Sequence, residues 1–391
     1  MSAPPDRPAG TFVPPRAMHA GQRPARLALA KHQAVGAIAL ALALPGLWLD
    51  RPMFFAAWLA AWWLALGVVL GALSNAWMHR LTGGQWGVVL LPATRALARR
   101  MPWLLLLLVP LAFGLEAIYP WAQPGGAWRD ALARPAFNRV WLEPTFFELR
   151  LAAYAGVWWW LARPAALRAP QSGQARSAAS LLLHAVVTSL AAIDLLMSLL
   201  PVWYSTGFAL LVLAGQMVAG SAFTIGLTAR YRAAHVVAAA APAPPVWRDL
   251  GNLLLTWVLI WAYLGFMQLL IIWAENLPRE IAWYLPRLDT GWRGVGIALV
   301  LLHFALPLLA LLWRALKDRP ARLAPIAFGL LGTSALQAAW LVLPSVAPHS
   351  LDGWWMLPLL LAGMGALLFG GIPQALRDEA GTDVEARHAG A

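Results

Sequence analysis

Apolar residues run in long blocks along almost the whole chain, and short polar segments separate these blocks. Each block is about 20 residues long, the length that an α-helix needs to cross a hydrocarbon core of about 30 Å. The pattern predicts an all-α polytopic membrane protein with about ten transmembrane helices. We place the spans at 32–49, 54–78, 101–121, 145–162, 178–200, 203–228, 249–274, 292–314, 322–346 and 353–373.

Lysine and arginine are distributed unequally between the two sets of polar segments that the predicted spans separate. Of the 29 Lys and Arg residues, 21 lie on the side of both chain ends and 8 lie on the opposite side. Membrane proteins carry their excess of Lys and Arg on the cytoplasmic side. The distribution therefore predicts that both termini are cytoplasmic.

The two ends of the chain are polar and flank one transmembrane domain. Residues 1–30 are rich in proline and lack the apolar run of a secretory signal, so we expect a disordered cytoplasmic arm. The transmembrane domain follows at 31–375, and residues 376–391 form a cytoplasmic tail.

Two connecting segments are long enough to have a structure of their own. Segment 79–100 carries apolar residues along one helical face and arginines on another. It fits a helix lying in the cytoplasmic headgroup region, and it fits a plain positively charged connector equally well. The loop 122–144 is the longest periplasmic connection, where Trp128 and Trp141 suit interfacial anchoring or the docking of a partner.

The composition restricts the chemistry that this chain can perform alone. Apolar residues make up 61% of the chain, which has 24 tryptophans and a mean hydropathy of +0.64. Its lack of cysteine excludes disulfides, thiolate-held iron–sulfur clusters and c-type haem attachment in this chain. The net charge of +12 is explained first by the excess of Lys and Arg that membrane proteins carry on their cytoplasmic side, so we expect no nucleic-acid partner.

One acidic residue, Asp194, stands inside the predicted fifth span, in a run from Ser177 to Pro201 with no other charge. An isolated carboxylate in the membrane costs several kcal/mol, so it is paired, protonated or used for chemistry. At about 100° per residue, a single arc of the helix holds small or polar side chains. These are His184, Thr188, Ala191, Asp194 and Ser198. We expect this stripe to face other helices or a wet cavity.

A second stripe of polar residues lies in the predicted seventh span. Asn252, Thr256 and Tyr263 fall within about 40° of one another on a helix. We expect them to face inward as well. Ordinary hydrogen bonds between helices account for such hydroxyls as well as a functional site does.

The ionisable residues of the predicted spans concentrate near the periplasmic boundary. Asp194, Glu116 and Glu148 come out at similar depth, which makes them candidate proton acceptors or relay groups. We expect Glu116, Tyr204 and residues of the seventh span to be the neighbours of Asp194. If Arg150 reaches Asp194 instead, the two residues form a structural ion pair.

Two histidines, His184 and His303, lie inside the predicted spans. Haem ligation by two histidines needs rings that face each other, whereas these two differ by roughly 5 Å in depth at the rise of an α-helix. We therefore expect no haem and no metal in this chain, and assign both histidines to the core or to a proton relay.

Several ordered stretches together resemble one family. They are HRLTGGQWG (79–87), PLAFGLEAIYPWA (110–122), NRVWLEPTFFELR (138–150), SLAAIDLLMSLLPVWYSTGF (189–208), DLGNLLLTWVLIWAYLGFMQLLIIWAENLPREIAWYLPR (249–287) and LLHFALPLLALLWR (301–314). The chain resembles, over roughly residues 30–375, the second quinone-binding-type membrane subunit of alternative complex III. This complex is a quinol:cytochrome c oxidoreductase, and the subunit belongs to the NrfD/polysulfide-reductase membrane-subunit superfamily.

The resemblance implies ten helices, arranged as two four-helix bundles with two flanking helices, in the inner membrane of a bacterium. The implied partners are a homologous NrfD-like quinol-oxidising subunit, a periplasmic iron–sulfur protein and c-type cytochrome subunits, with a terminal cytochrome oxidase as a further candidate. The implied ligand is menaquinone or ubiquinone. Candidates to line a quinone site or relay are Tyr204, Trp203, Arg150, Tyr263, Gln216, His303 and His184.

The family's acidic position matches Asp194, and its YST motif matches residues 204–206. The chain departs from the family at Leu195, where a Trp is expected, and at Leu200 and Val202, where an acid and a His are common. Three functions stay open. The chain is a redox-complex subunit that helps form a quinol or proton site, a purely structural subunit of that complex, or a proton-coupled transporter.

Overall fold

The computed structural model describes residues 22–124, 139–163, 173–234, 244–348, 352–374 and 376. Within these ranges the chain is almost entirely helical and has no β-strand. Eight of the described helices are long and apolar enough to cross a membrane. The chain is therefore a polytopic helical membrane protein, as the apolar blocks predict.

The long helices are labelled in chain order. They are α1 Gln22–Ala43, α2 Arg51–Thr82, α3 Pro144–Leu161, α4 Gln174–Leu195, α5 Phe208–Ala234, α6 Pro244–Glu275, α7 Trp292–Leu312, α8 Pro320–Val346 and α9 Met356–Phe369. Shorter helices connect them at Gly46–Leu49, Trp86–Ala98, Met101–Leu106, Val109–Ala112, Leu115–Ile118, Pro278–Ile281, Leu285–Leu288 and Arg314–Lys317.

All the long helices except α3 belong to the set of eight. The predicted span 145–162 is helix α3, whose charged residues and three consecutive tryptophans lower its hydropathy. The predicted span 101–121 is broken into three short helices, because Pro110 and Gly114 interrupt the regular hydrogen bonding. The count of ten spans stays a prediction.

Two element boundaries differ from those expected. Helix α1 begins at Gln22, so residues 22–30 are helical rather than part of a disordered arm; they are rich in Ala, Leu and Arg, which are strong helix formers. Helix α5 begins at Phe208 rather than at residue 203, because Pro201 and Gly207 favour turns in the segment between. The predictions for residues 1–21, for Trp128 and for the tail after 376 fall outside the described residues.

Helix α2 lies at the centre of the molecule, since 94% of the residues in its most apolar 18-residue stretch are buried. It contacts α4, α5, α8 and α9. Its crossing with α5 is close because glycines face each other: a Cβ added at Gly71 would collide with the Gln216 carbonyl, and one added at Gly220 with the backbone of Gly71. Small residues at such crossings let helix backbones pack tightly in a membrane.

Two tryptophans of α2 satisfy the backbone of the broken segment 101–118. The indole N–H of Trp58 donates to the Leu107 carbonyl at 2.9 Å, and that of Trp62 donates to the Leu104 carbonyl at 2.8 Å. The amides four residues further on bond to other carbonyls, so these two would otherwise lack donors. Unsatisfied carbonyls are costly in hydrocarbon, which explains why a broken helix is tolerated here.

An arginine likewise supplies hydrogen-bond donors to backbone carbonyls of α8. Pro344 has no N–H, so the carbonyl of Trp340 loses its helical donor. The fully buried Arg287 replaces it, donating from Nε to the Trp340 carbonyl at 3.0 Å and from Nη2 to the Leu341 carbonyl at 2.9 Å. Its guanidinium also stacks 3.5 Å above the ring of Trp283. The connection between α6 and α7 is thereby fixed to the kinked end of α8.

Candidate functional site

Asp194 lies one residue before the end of α4 and is 1% exposed. Its Oδ1 accepts from Trp141 Nε1 at 2.8 Å and from Arg150 Nη2 at 3.2 Å. Its Oδ2 accepts from Arg150 Nε at 2.8 Å and from the Tyr154 hydroxyl at 2.8 Å. A carboxylate offers about four lone-pair positions, so these four donors occupy the whole group.

Arg150 of α3 forms a bidentate ion pair with Asp194 of α4. Its guanidinium carbon lies 4.1 Å from the centre of the Trp141 ring and 4.6 Å from that of Phe146. These rings shield the pair from solvent and add cation–π attraction. Two parallel hydrogen bonds to one carboxylate fix its orientation as well as its charge.

The same two helices are joined deeper in the protein. The Trp158 indole donates to Thr188 Oγ1 at 3.3 Å, and Thr188 Oγ1 lies 3.1 Å from His184 Nδ1. Arg150, Tyr154 and Trp158 are spaced four residues apart, so they share one face of α3. This face forms a ladder of polar contacts along α4.

Residues outside the ladder form further hydrogen bonds at the end of α4. The hydroxyl of Ser198 donates to the Asp194 carbonyl, and the Trp121 indole donates to Ser198 Oγ at 3.2 Å. The hydroxyl of Tyr119 donates to the Leu195 carbonyl at 2.8 Å. The polar stripe predicted for this helix is confirmed as an inward face, since all five of its members are buried.

The predicted neighbours of Asp194 are wrong. Tyr204 is 64% exposed, and Glu116 and Glu148 are also exposed. Glu116 follows the break at Gly114, so its direction is not that of a continuous helix. Glu148 precedes Arg150 by two residues, about 200° around α3, and points away from α4. The structure does not bring the three candidate carboxylates together.

The predicted inward stripe on α6 is also wrong. Asn252, Thr256 and Tyr263 are all exposed, because α6 packs inward through Leu250, Leu254 and Val258 on its other face. Two of the three polar groups are satisfied locally. Asn252 Oδ1 accepts from Lys317 Nζ at 2.6 Å, and the Thr256 hydroxyl donates to the Asn252 carbonyl at 2.9 Å.

Two further candidates are buried away from Asp194 and its donors. Trp203 stacks on Trp283, with ring centres 5.3 Å apart, and donates to the Glu280 carbonyl at 2.8 Å. Gln216 is 3% exposed and faces a cavity of about 20 Å³ that Gln337 also lines. Neither of them donates to the carboxylate.

The two histidines occupy separate surroundings. His184 belongs to the α3–α4 ladder, whereas His303 is buried between α7 and α8, with Nδ1 2.6 Å from Thr333 Oγ1. The ring of Trp261 packs edge-on against His303, with centres 4.5 Å apart. In the described part of the chain, no cluster of three or more His, Cys, Asp or Glu residues could hold a metal ion.

Sequence reasoning named Arg150 as the alternative partner of Asp194 and missed the other two donor residues. Tyr154 was not singled out, and Trp141 was assigned to interfacial anchoring or to the docking of a partner rather than to the carboxylate. The signal was present in α3, where Arg150, Tyr154 and Trp158 recur every four residues. A polar face with that period on one helix predicts a polar face on its neighbour.

The arrangement around Asp194 is suited to holding helices together. A proton that reached the carboxylate would have to displace one of its four donors, and protonation would leave Arg150 without its counter-ion in a buried place. The group therefore acts as the anchor point of α3, α4 and the segment at Trp141.

No protein-family model matches this chain, and no curated protein matches it.

Proposed function

We propose that this chain is an integral membrane subunit of a respiratory quinol:cytochrome c oxidoreductase of the alternative complex III type. It belongs, in this proposal, to the NrfD/polysulfide-reductase membrane-subunit superfamily and spans the bacterial inner membrane ten times with both ends in the cytoplasm. The ordered stretches from HRLTGGQWG to LLHFALPLLALLWR support the proposal, as does the 21 to 8 distribution of Lys and Arg.

Within that complex we assign the chain a structural role. The observation that carries this assignment is the Asp194 carboxylate, whose four hydrogen bonds come from Trp141, Arg150 and Tyr154. A proton acceptor for quinol oxidation needs a free lone pair within hydrogen-bond reach of the substrate hydroxyl. The fully occupied carboxylate therefore favours a structural ion pair over a quinol or proton site.

The residues around Asp194 do not fit a quinone head group. Its acceptors are filled, and its donors Arg150 and Tyr154 are already engaged by the carboxylate. We therefore assign quinol oxidation to the homologous partner subunit. Electron transfer falls to the iron–sulfur protein and the c-type cytochromes, since this chain has no cysteine to hold a cluster or a covalent haem.

Glu116 and Glu148 keep a more limited role in this proposal. Both are exposed in the isolated chain. Any proton transfer through them takes place at a surface shared with water or with a partner subunit, rather than inside this helix bundle. They are the positions where a chemical contribution from this chain would be found.

Affinity purification of the tagged chain from its native membranes in a mild detergent tests the proposal. We expect c-type cytochromes, recognised by their reduced-minus-oxidised absorbance bands, and an iron–sulfur protein to co-purify with quinol:cytochrome c reductase activity. Recovery of the chain alone, with no haem absorbance, would contradict the proposal and favour a transporter. Another tagged multi-pass protein from the same membranes controls for non-specific capture.

A further inference from the structure

A large cavity lies between α6, α7 and α8, apart from the Asp194 cluster. Its volume is about 500 Å³, within the range of small-molecule sites in proteins. Its wall is mostly apolar and unusually aromatic. The aromatic lining residues are Trp261, Tyr263, Phe266, Trp283, Tyr284, Phe304 and Trp340.

The local structure of α7 contributes to this space. Residues 299–305 form a π-helical stretch directly before Pro307, which has no N–H to donate to the carbonyl of His303. Gly265 lies on the facing wall and leaves room where a side chain would stand, whereas the space beside Gly296 is filled by the Trp340 ring. The cavity thus lies between a wide helical turn and Gly265.

The cavity extends from the connection between α6 and α7 towards the middle of the membrane. Trp283 and Tyr284 of that connection line one end, and Leu259 of α6 lines the other. The lining residues of α6 run from Leu259 to Leu269, which is roughly 15 Å at 1.5 Å per residue. One leaflet contributes about half of a hydrocarbon core of roughly 30 Å, so the length suits a single acyl chain.

The end of the cavity at the connection between α6 and α7 offers a hydrogen-bond donor to a lipid. Trp283 is 2% exposed, and its indole nitrogen has no hydrogen-bond partner in the described part of the chain. It lies at the level where tryptophans meet the ester groups of a bilayer. The deeper wall is mostly apolar, with Leu259, Leu299 and Phe304, and Gln337 and the Trp261 indole are polar groups within it.

We propose that this cavity binds one glycerophospholipid of the adjacent leaflet. The acyl chain lies along the aromatic wall, and an ester carbonyl accepts from the Trp283 indole. The lipid fills the space between α6 and the α7–α8 pair, where the protein itself leaves a gap. This site is independent of the function proposed above, because it rests only on the cavity.

Native mass spectrometry of the full-length protein, purified in mild detergent with the partners that remain bound, tests the proposal. We expect one retained phospholipid in the wild type. Gly265→Leu places a side chain in the cavity, where an added Cβ would meet only Leu211 at 3.6 Å. We expect it to lower occupancy at least about tenfold, the effect of a typical steric cost of overfilling.

Gly329→Leu is the matched control, because an added Cβ there meets nothing within 4 Å. It should retain the lipid and keep the same melting temperature. Trp283→Phe keeps the apolar wall and removes the N–H, so it should weaken retention less than Gly265→Leu. Retention unchanged in Gly265→Leu overturns the proposal. So does an isoprenoid quinone, or no ligand, in the wild type.

Discussion

At the scale of single residues, the protein depends on a buried ion pair whose carboxylate accepts four hydrogen bonds. Arg150 and Asp194 are 8% and 1% exposed, and both partners come from different helices. Removal of one partner of such a pair leaves an unpaired buried charge, whereas removal of both leaves none. The main effect of the pair is therefore to fix how α3 packs against α4.

This pairing gives a prediction for the free energy of unfolding. We expect Arg150→Met and Asp194→Asn each to lower it by about 3–5 kcal/mol, and the double variant to lower it by less than the sum. Thermal unfolding of the detergent-solubilised protein measures all three. A double variant that loses the full sum of the single effects would show that the two residues do not act as a pair.

The partly exposed pair of Arg248 and Asp318 provides the control, with side chains 28% and 26% exposed. Hydrogen bonds from Arg248 lower the pKa of Asp318 below its usual value. A lowered carboxyl pKa contributes stability at neutral pH that is lost as the pH falls. Exposed pairs contribute little, so Asp318→Asn should have a much smaller effect than Asp194→Asn.

The inward direction of Asp194 was predictable, and Arg150 was foreseen only as an alternative partner. The helical period places His184, Thr188 and Ser198 on the same face, and only an inward face suits a carboxylate. The identity of the donors depends on the rotation of α3 and on the path of the chain near Trp141. Neither of these follows from a pattern within α4.

At the scale of elements, side chains replace missing backbone hydrogen bonds at two places where a helix is interrupted. Trp58 and Trp62 serve the broken segment 101–118, and Arg287 serves the kink that Pro344 causes in α8. The sequence analysis treated both segments as continuous spans, although proline interrupts regular helical hydrogen bonding. A proline position also does not show which residue of a distant segment supplies the missing donor.

The link between Arg287 and Pro344 is testable by coupling. Arg287→Met should destabilise the protein by about 1–3 kcal/mol for each carbonyl left without a donor. In a Pro344→Ala background the helix regains its own N–H, so the same change should cost at least about 1 kcal/mol less. Pro325→Ala, in the same helix, is the control background and should leave the cost unchanged. Equal costs in all three backgrounds would refute the replacement.

At the scale of the whole molecule, the apolar pattern predicted a multi-pass helical protein, and eight long helices confirm that class. The pattern could not show how each helix is turned. The stripe of Asn252, Thr256 and Tyr263 was predicted to face inward, yet all three residues are exposed, and Tyr263 borders the cavity between α6 and the α7–α8 pair. A periodic pattern identifies a face, whereas the packing of neighbouring helices decides whether that face is inside.

The orientation in the membrane can be tested by labelling, since the chain has no cysteine. We expect a cysteine introduced at exposed Glu116 to react with a membrane-impermeant maleimide in spheroplasts. A cysteine at Arg314, whose side chain is 72% exposed, should react only after permeabilisation. This follows from the excess of Lys and Arg on the side of both chain ends. The reverse pattern would invert the proposed topology.

The claim at the centre of this account is that Asp194 holds helices together and takes no part in quinol chemistry. The most direct test is the turnover of the purified complex that carries Asp194→Asn together with Arg150→Met, normalised to its c-type haem. We predict less complex, with turnover per complex within about twofold of the wild type, since no transition-state contact is lost. A normally assembled complex whose turnover falls about tenfold or more, towards the 10²- to 10⁴-fold loss typical of a missing proton acceptor, would contradict the claim.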